Sequence, residues 1–296
     1  MKKRAVALGF FDGVHIGHGA LLTRCKEVAE KKGLSPCAMT YSRHPSEILG
    51  KNPTKLLSTQ DERVKLIRDL YGIEEVIIKD FTKEYAALSP VEFVERILVD
   101  ELNTGYVVVG FDFRFARNGE GDAKELLRIC KDKNIGCDIV DEVKIDGETV
   151  SSSLIRSLIT AGDIKKATRL LGHNHCIISE VIHGQKLGQK LSFPTINQEF
   201  AKNAELPKLG VYVSRVEVLG RTYRGITNIG VRPTVGSGER ALAETHILGF
   251  SGDVYGKIAK VELCEFVREE KKFDSLEKLQ EQIKKDIAFA EKCWGE

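Results

Sequence analysis

No stretch of eighteen or more apolar residues occurs in the 296-residue sequence, so no segment reads as a membrane-spanning helix. Met1-Lys2-Lys3-Arg4 leads into an apolar run too short for a secretory signal, and a cytoplasmic location is expected. An excess of charge of one sign is also missing. The 45 basic and 43 acidic residues leave a net charge of +2, too small for nucleic-acid binding by field alone. Neither a nucleic-acid nor a membrane partner is therefore expected. Cys-x-x-Cys spacing is absent, and the seven cysteines (Cys25, Cys37, Cys130, Cys137, Cys176, Cys264 and Cys293) are odd in number and scattered. That pattern argues for reduced thiols and against a zinc site or a disulfide framework. The first apolar run is not followed by Gly-x-x-x-x-Gly-Lys-Ser/Thr, which removes a P-loop kinase or GTPase. Internal repeats and low-complexity segments are absent as well.

What is present begins with Ala5-Val6-Ala7-Leu8, followed by Gly9-Phe10-Phe11-Asp12-Gly13-Val14-His15-Ile16-Gly17-His18 and a helical pattern from Ala20. It reads as strand, tight loop and helix start. Glycines let the backbone turn and approach a ligand, and histidines three apart sit together where the helix opens. A helix start offers unpaired N–H groups and the positive end of a dipole, both favourable to phosphate. Two imidazoles there add hydrogen-bond donors.

At 296 residues, two domains are expected. To about residue 172, short β-type runs alternate with helical ones, the pattern of a parallel sheet with crossover helices. The strands are expected at Ala5 to Gly9, Pro36 to Tyr41, Glu75 to Ile78, Tyr106 to Gly110 and Cys137 to Val140. Thr59 with Glu62 and Ser89 with Glu92 read as capping boxes. Ligands of such sheets bind outside the carboxyl ends of the strands, where the loops carry His15 and His18, Arg43-His44-Pro45, Asp112 and Arg114, and Ser152, Ser153 and Arg156. Phe111, Phe113 and Phe115 have the alternate spacing of a strand end, and at least two of the three read as core more readily than as ring-stacking groups.

Beyond Gly172, a C-cap glycine, short alternating runs separated by glycines suit a small antiparallel barrel or sandwich. Val211 and Val213 fall on one face and Val216 and Val218 on the other, as a bulge produces. Asp274 and Glu277 read as a capping box for a closing helix whose stripe is Leu276, Leu279, Ile283, Ile287 and Ala290. Gly184, Lys186, Gly188 and Lys190 form a glycine- and lysine-bearing loop suited to polyphosphate. Thr195 and Asn197 are hard oxygen ligands two apart on one side of an extended segment, a set that suits Mg²⁺.

The longer motifs extend these readings to a family. Gly-x-Phe-Asp-Gly-x-His-x-Gly-His, then Gly-x-Asp-Phe-Arg-Phe, then Ser-Ser-x-x-Ile-Arg, resemble the FMN adenylyltransferase half of the bifunctional riboflavin kinase/FAD synthetases. Pro194-Thr195-Ile196-Asn197, Gly210-Val211-Tyr212, Asn228 to Thr234, Glu244-Thr245-His246 and Gly252 to Gly256 resemble the riboflavin kinase half. The fold implied is α/β plus β: a Rossmann-like parallel sheet of the nucleotidylyltransferase type over 1–172, and a small antiparallel barrel with a closing helix over 173–296. The resemblance implies substrates riboflavin, FMN and ATP, with Mg²⁺. It assigns His15, His18 and Arg156 to phosphate charge, and Gly9, Phe10, Asp12, Gly17, Asp112, Arg114, Ser152 and Ser153 to nucleotide or flavin. In the second half it assigns Gly184, Lys186, Gly188, Lys190, Asn228 and Arg232 to nucleotide or flavin, Thr195 and Asn197 to metal, and Glu244 as general base. The sequence departs from the family pattern in Phe10 for Asn, Arg43 for Pro, Ser153 for Thr and Ser192 for Gly. Rival readings are a nucleotidylyltransferase for another phosphorylated substrate and a flavin- or nucleotide-binding sensor with an inactive barrel.

Overall fold

The structure, a computed structural model, describes residues 2–50, 53–184, 193–233 and 239–294. The chain divides into two compact units, Met1–Ser152 and Ser153–Glu296.

In the first unit, strands β1 (Arg4–Leu8), β2 (Ser35–Tyr41), β3 (Glu75–Lys79), β4 (Thr104–Gly110) and β5 (Gly136–Val140) form one sheet in the order β3-β2-β1-β4-β5. Every pairing is parallel. Each strand lies within two residues of its expected position, because short β-branched runs bounded by polar loops leave little choice of register. Ala5, Val6, Ala7 and Leu8 of β1 are buried, as a central strand covered on both faces requires. Helix α1 (Ile16–Lys32) covers one face with Leu22, Cys25 and Ala29. On the opposite face, α3 (Ala123–Asp132) contributes Leu126, Ile129 and Cys130 to the core. Between them in sequence, α2 (Gln60–Tyr71) opens on the expected capping box: Thr59 Oγ1 accepts from the Glu62 N–H at 3.3 Å, and Glu62 Oε2 accepts from the Thr59 N–H at 2.7 Å.

This strand order places the topological switch between β1 and β4. The chain runs outward through β2 and β3, returns to the far side of β1 and continues to β5, so the carboxyl ends of β1 and β4 diverge into a crevice. The loop Gly9–His15 leaves one wall of that crevice and Gly110–Arg114 leaves the other.

The second unit carries helices α4 (Ser152–Ala161) and α5 (Ile164–Leu171), the latter ended by Gly172 at φ 80°. The sequence expectation put the boundary near residue 172, whereas the compact units divide twenty residues earlier. The Lys208 N–H donates to the Ile159 carbonyl at 3.1 Å and Lys165 pairs with Glu265 at 2.8 Å, so both helices associate with the following sheet. Helical periodicity locates such a pair, but it carries no information on which core the apolar stripe joins.

That sheet comprises β6 (His175–Glu180), β7 (Thr195–Glu199), β8 (Gly210–Val218), β9 (Arg221–Pro233), β10 (Glu239–Ile247) and β11 (Ile258–Arg268), ordered β6-β11-β8-β9-β10-β7. It is antiparallel throughout and curls into a half-barrel, its ends joined by a bridge between Ile182 and Asn197. Gln198 reinforces the junction, its Nε2 donating to the Ser179 and Ala259 carbonyls at 2.9 and 2.8 Å. The bulge expected from the valines is not in β8: its pairing with β9 is unbroken from Gly210 to Val218, and the register shifts in the β8–β11 pairing leave Val267 and Cys264 of β11 as the extra residues. The valines fall on both faces because both faces of β8 bury side chains. The closing helix α6 (Leu276–Cys293) lays Ile287 and Ala290 against Val211, Val213 and Ile226. Its N-cap is Ser275, not the expected Asp274: Ser275 Oγ accepts from the Lys278 N–H at 3.3 Å, and Asp274 instead pairs with the Lys278 ammonium at 3.1 Å. Adjacent Asp and Ser are both good caps, and only the helix phase chooses between them.

His175, buried at the start of β6, has its pKa lowered to about 4 by burial, with His173 adding to the effect. Its ordinary value is about 6.5. As pH falls below that, the unfolded chain takes a proton that the folded chain refuses. The associated stability is complete above the unfolded value and is lost on acidification toward the folded one. Thermal melts across this range should show a flatter acid decline for His175→Gln than for the unsubstituted protein. Parallel declines would refute this account of His175.

Candidate functional site

In the first unit the loop after β1 is held in a strained form. Phe11 and Val14 have φ of 58° and 42°, and for a β-branched valine such a value costs about 1–3 kcal/mol. The strain is held by Asp12. Its buried carboxylate Oδ1 accepts from the N–H groups of Leu57 and Ser58 at 2.9 and 3.1 Å, while Ser58 Oγ accepts from the Gly13 N–H at 2.9 Å. The Asp12 carbonyl accepts from Ser152 Oγ at 3.0 Å. Asp12 and Ser152, both expected on the nucleotide, thus have these groups engaged in loop structure. Sequence spacing could not reveal this, because the partner segment lies 45 residues away from Asp12.

The loop delivers two imidazoles to the start of α1. His15 is the N-cap residue, and its Nδ1 accepts from the His18 N–H at 3.2 Å. A neutral ring accepting at Nδ1 carries its proton on Nε2. The His18 ring stacks on His15 with centroids 3.6 Å apart and meets Phe11 edge-on at 5.4 Å. Burial and then His15 hold the His18 pKa well below its ordinary value, so His18 is neutral at pH 7. Its Nδ1 is buried without a hydrogen-bond partner. An unpaired buried acceptor is more tolerable there than an unpaired buried N–H, which favours the proton on Nε2.

Two glycines of the motif serve this packing. A Cβ on Gly17 would lie 3.0 Å from His15 Cε1, and one on Gly9 would lie 2.9 Å from Phe11 Cε1. Phe10 meets His44 edge-on at 4.7 Å and lies beneath the Arg63 guanidinium at 4.2 Å. At the end of β4, Asp112 and Arg114 are exposed. Phe113 and Phe115 pack on the core while Phe111 is 50% exposed, so the burial of two of these three rings agrees with the sequence reading. Ser153 and Arg156 belong to the second unit, where Arg156 Nη2 donates to Ser153 Oγ at 3.1 Å.

In the second unit, strand register assembles the residues that sequence listed apart. Asn197 of β7 pairs with Glu244 of β10, which pairs with Asn228 of β9. One step along, Thr195 pairs with His246 and His246 with Ile226. Successive residues alternate faces, so these groups share the outer face of the sheet, toward α6, while Thr227 and Thr245 point inward and hydrogen-bond at 2.9 Å. Between that face and α6 lies a cavity of about 240 Å³, lined by Thr195, Asn228, Glu244 and His246 on one side and by Leu279 and Ile283 on the other.

The polar groups around this cavity are interlocked. Glu244 forms an ion pair with Arg232. Burial raises the Glu244 pKa above the ordinary carboxylate value, with Arg232 opposing and Glu270 reinforcing the rise. Asn228 Nδ2 donates to Glu270 Oε1 at 3.0 Å, and His246 Nδ1 lies 2.8 Å from the Pro194 carbonyl. Asn197 is buried, and its side-chain amide occupies the space a Cβ on Gly184 would need. Lys186, Gly188, Lys190 and Ser192 lie outside the described residues. Sequence reading missed Arg268 and Asp286, which line the cavity and fasten α6 to β11 through a fork at 2.7–3.1 Å. No local signal marks such a pair, because strand and helix meet only in the fold.

Among the described residues, no three His, Cys, Asp or Glu groups converge as metal ligands. Thr195 and Asn197, two apart on β7 and in register with His246 and Glu244, offer the hard oxygen donors that suit Mg²⁺, which takes few protein ligands and completes its shell with water and phosphate.

Stacked imidazoles at a helix start in the switch crevice of a parallel sheet, and a carboxylate-lined cavity on an antiparallel half-barrel, fit a transferase of phosphorus-containing groups. The FAD synthetase family pattern matches residues 1–154, and the riboflavin kinase pattern matches residues 171–294. The bifunctional riboflavin kinase/FMN adenylyltransferase of Bacillus subtilis is 36% identical over 288 residues, covering 96% of this chain and 90% of that protein. The enzyme of the same name from Escherichia coli K12 is 33% identical over 295 residues, covering 98% and 92%. A crystal structure described as a macrolide-efflux protein from Streptococcus pneumoniae superposes with a TM-score of 0.86 at 29% identity, covering 98% of this chain and 95% of that one. Among the described residues of the present chain, no helix is long and apolar enough to cross a membrane. The chain belongs to the bifunctional riboflavin kinase/FMN adenylyltransferase family.

Proposed function

We propose that adenylyl transfer takes place at the His15/His18 helix start and riboflavin phosphorylation in the cavity beside Glu244. The observation that carries this division is the register Asn197–Glu244–Asn228, which concentrates phosphoryl-transfer groups in one unit, while the histidine pair lies in the other.

In the first reaction a phosphate oxygen of FMN attacks the α-phosphorus of ATP and pyrophosphate leaves, so no protein nucleophile is needed. His15 and His18 donate to phosphate oxygens as their charge shifts, aided by the amides of the helix start. Asp112 and Arg114, at the end of β4, contact nucleotide or flavin. Ser153 and Arg156 are assigned to the triphosphate on their motif alone. The loop strain held by Asp12 fixes the histidines before substrate arrives, which lowers the cost of ordering them in the transition state.

In the second reaction the ribityl 5′-hydroxyl of riboflavin attacks the γ-phosphorus of ATP, the bond from that phosphorus to the β,γ-bridging oxygen breaks, and ADP leaves. Glu244 accepts the hydroxyl proton, Arg232 opposes the rise in the Glu244 pKa that burial causes, and Asn228 and the apolar side of α6 orient the flavin. Thr195 and Asn197 would hold Mg²⁺, which would supply positive charge against that of the ATP phosphates. Lys186 and Lys190, with Gly184 and Gly188, are assigned to the polyphosphate on sequence alone. The kinase activity is assigned to residues 173–296, with 153–172 as a helical connector that stays with this unit.

Incubation with riboflavin, ATP and Mg²⁺, followed by chromatography, should yield FMN and then FAD. FAD formed only from supplied FMN would remove the kinase assignment, and FMN without FAD would remove the adenylyl-transfer assignment. Neither product would leave a flavin- or nucleotide-binding sensor.

A further inference from the structure

Arg63, in the first turn of α2, is 1% exposed. Its guanidinium is held by backbone oxygens: Nη2 donates to the Tyr41 carbonyl at 2.8 Å and Nη1 to the Ser58 carbonyl at 3.2 Å. Its carbon centre lies 4.2 Å from the Phe10 ring centroid, and its Nε is buried without a hydrogen-bond partner. Burial disfavours the charged guanidinium and the carboxylates of Asp12, Glu62 and Glu47 offset part of that cost, and an apolar side chain of similar size would avoid the penalty. The three groups that Arg63 touches are distributed in a way that core packing does not require. Phe10 stands at the start of the loop bearing His15 and His18. Tyr41 ends β2, immediately before the turn to His44, whose ring meets Phe10 at 4.7 Å. Ser58 is the residue whose N–H and hydroxyl hold Asp12 and Gly13. One guanidinium therefore ties together the loop after β1, the loop after β2 and the segment that keeps the histidine loop in its strained form.

We propose that Arg63 is a positioning residue for FMN adenylylation: a buried cation that fixes Phe10, the Tyr41–His44 turn and the Ser58–Asp12 clasp, and through them places the His15/His18 pair. It touches no reacting atom. This inference depends on the adenylyl-transfer reading of the first unit, and FAD formation from supplied FMN by the unsubstituted protein tests that reading separately.

Arg63→Met keeps the stem and removes both the charge and the two-armed donation, while Arg63→Lys keeps the charge on a single point donor. Misplacement of a catalytic constellation by about 1 Å costs roughly 10²-fold. Single-turnover conversion of FMN to FAD, with enzyme in excess, reads the rate constant independently of the fraction of active molecules. The expected result is a fall of about 10²-fold for Arg63→Met and about 10-fold for Arg63→Lys, with riboflavin phosphorylation by the same preparations unchanged. A merely structural residue would lower the melting temperature and leave that rate constant as it was. A rate within twofold of the unsubstituted protein in folded Arg63→Met overturns the proposal. Should that variant not fold, the same result in Arg63→Lys overturns it, and so does failure of both to fold.

Discussion

His18→Ala should convert riboflavin to FMN and accumulate it, with the FAD step slowed by about 10²–10³-fold. His18 stacks on His15 at 3.6 Å and is held neutral by burial, so the substitution removes one uncharged donor and leaves the net charge at pH 7 as it was. The loss falls on the transition state, where the phosphate oxygens need donors already in place, and it should appear in kcat more than in the KM for ATP. Because the folded pKa of His18 lies well below 6.5, His18 should contribute no titration at the ordinary imidazole value to the pH profile of the FAD step. The check is a time course of FMN and FAD with circular dichroism to confirm folding. Loss of FMN formation in a folded His18→Ala protein would contradict one reaction per unit.

Glu244→Gln gives the opposite block. The amide keeps the size of the side chain and one carbonyl acceptor for Arg232 but cannot take the ribityl proton. FMN formation should fall by roughly 10²–10⁴-fold, the range that general base catalysis supplies, while supplied FMN is still carried to FAD. The loss stops short of complete because phosphoryl transfer depends mainly on positioning and charge. Mixing the two variants should restore conversion of riboflavin to FAD, since FMN made by His18→Ala can diffuse to Glu244→Gln. A Glu244→Gln enzyme that forms FMN at the unsubstituted rate would remove Glu244 as the base and leave it as a structural partner of Arg232.

The local pieces of this protein were written in the sequence. The five parallel strands, the helix start at His15, the caps at Thr59 and Ser89 and the stop at Gly172 all depend on side-chain period, turn chemistry and capping. Those forces act within about ten residues, so a linear reading reaches them. The motifs named the residue types for phosphate and metal chemistry for the same reason. Tertiary structure decided what those residues face. Asp12 reads as a ligand contact by its place in the motif, but a segment 45 residues on captures its carboxylate, because a buried carboxylate is stabilised by whichever N–H groups the fold brings to it. Asn197, Glu244 and Asn228 become one row only through the register of three strands, and register is fixed by which faces the sheet must bury. The closing helix took Ser275 as its cap because its phase follows its packing on the half-barrel. Arg63 reads as an ordinary polar residue in the first turn of an amphipathic helix. Burial and three converging loops, which no spacing in the chain encodes, make it the centre of the first site.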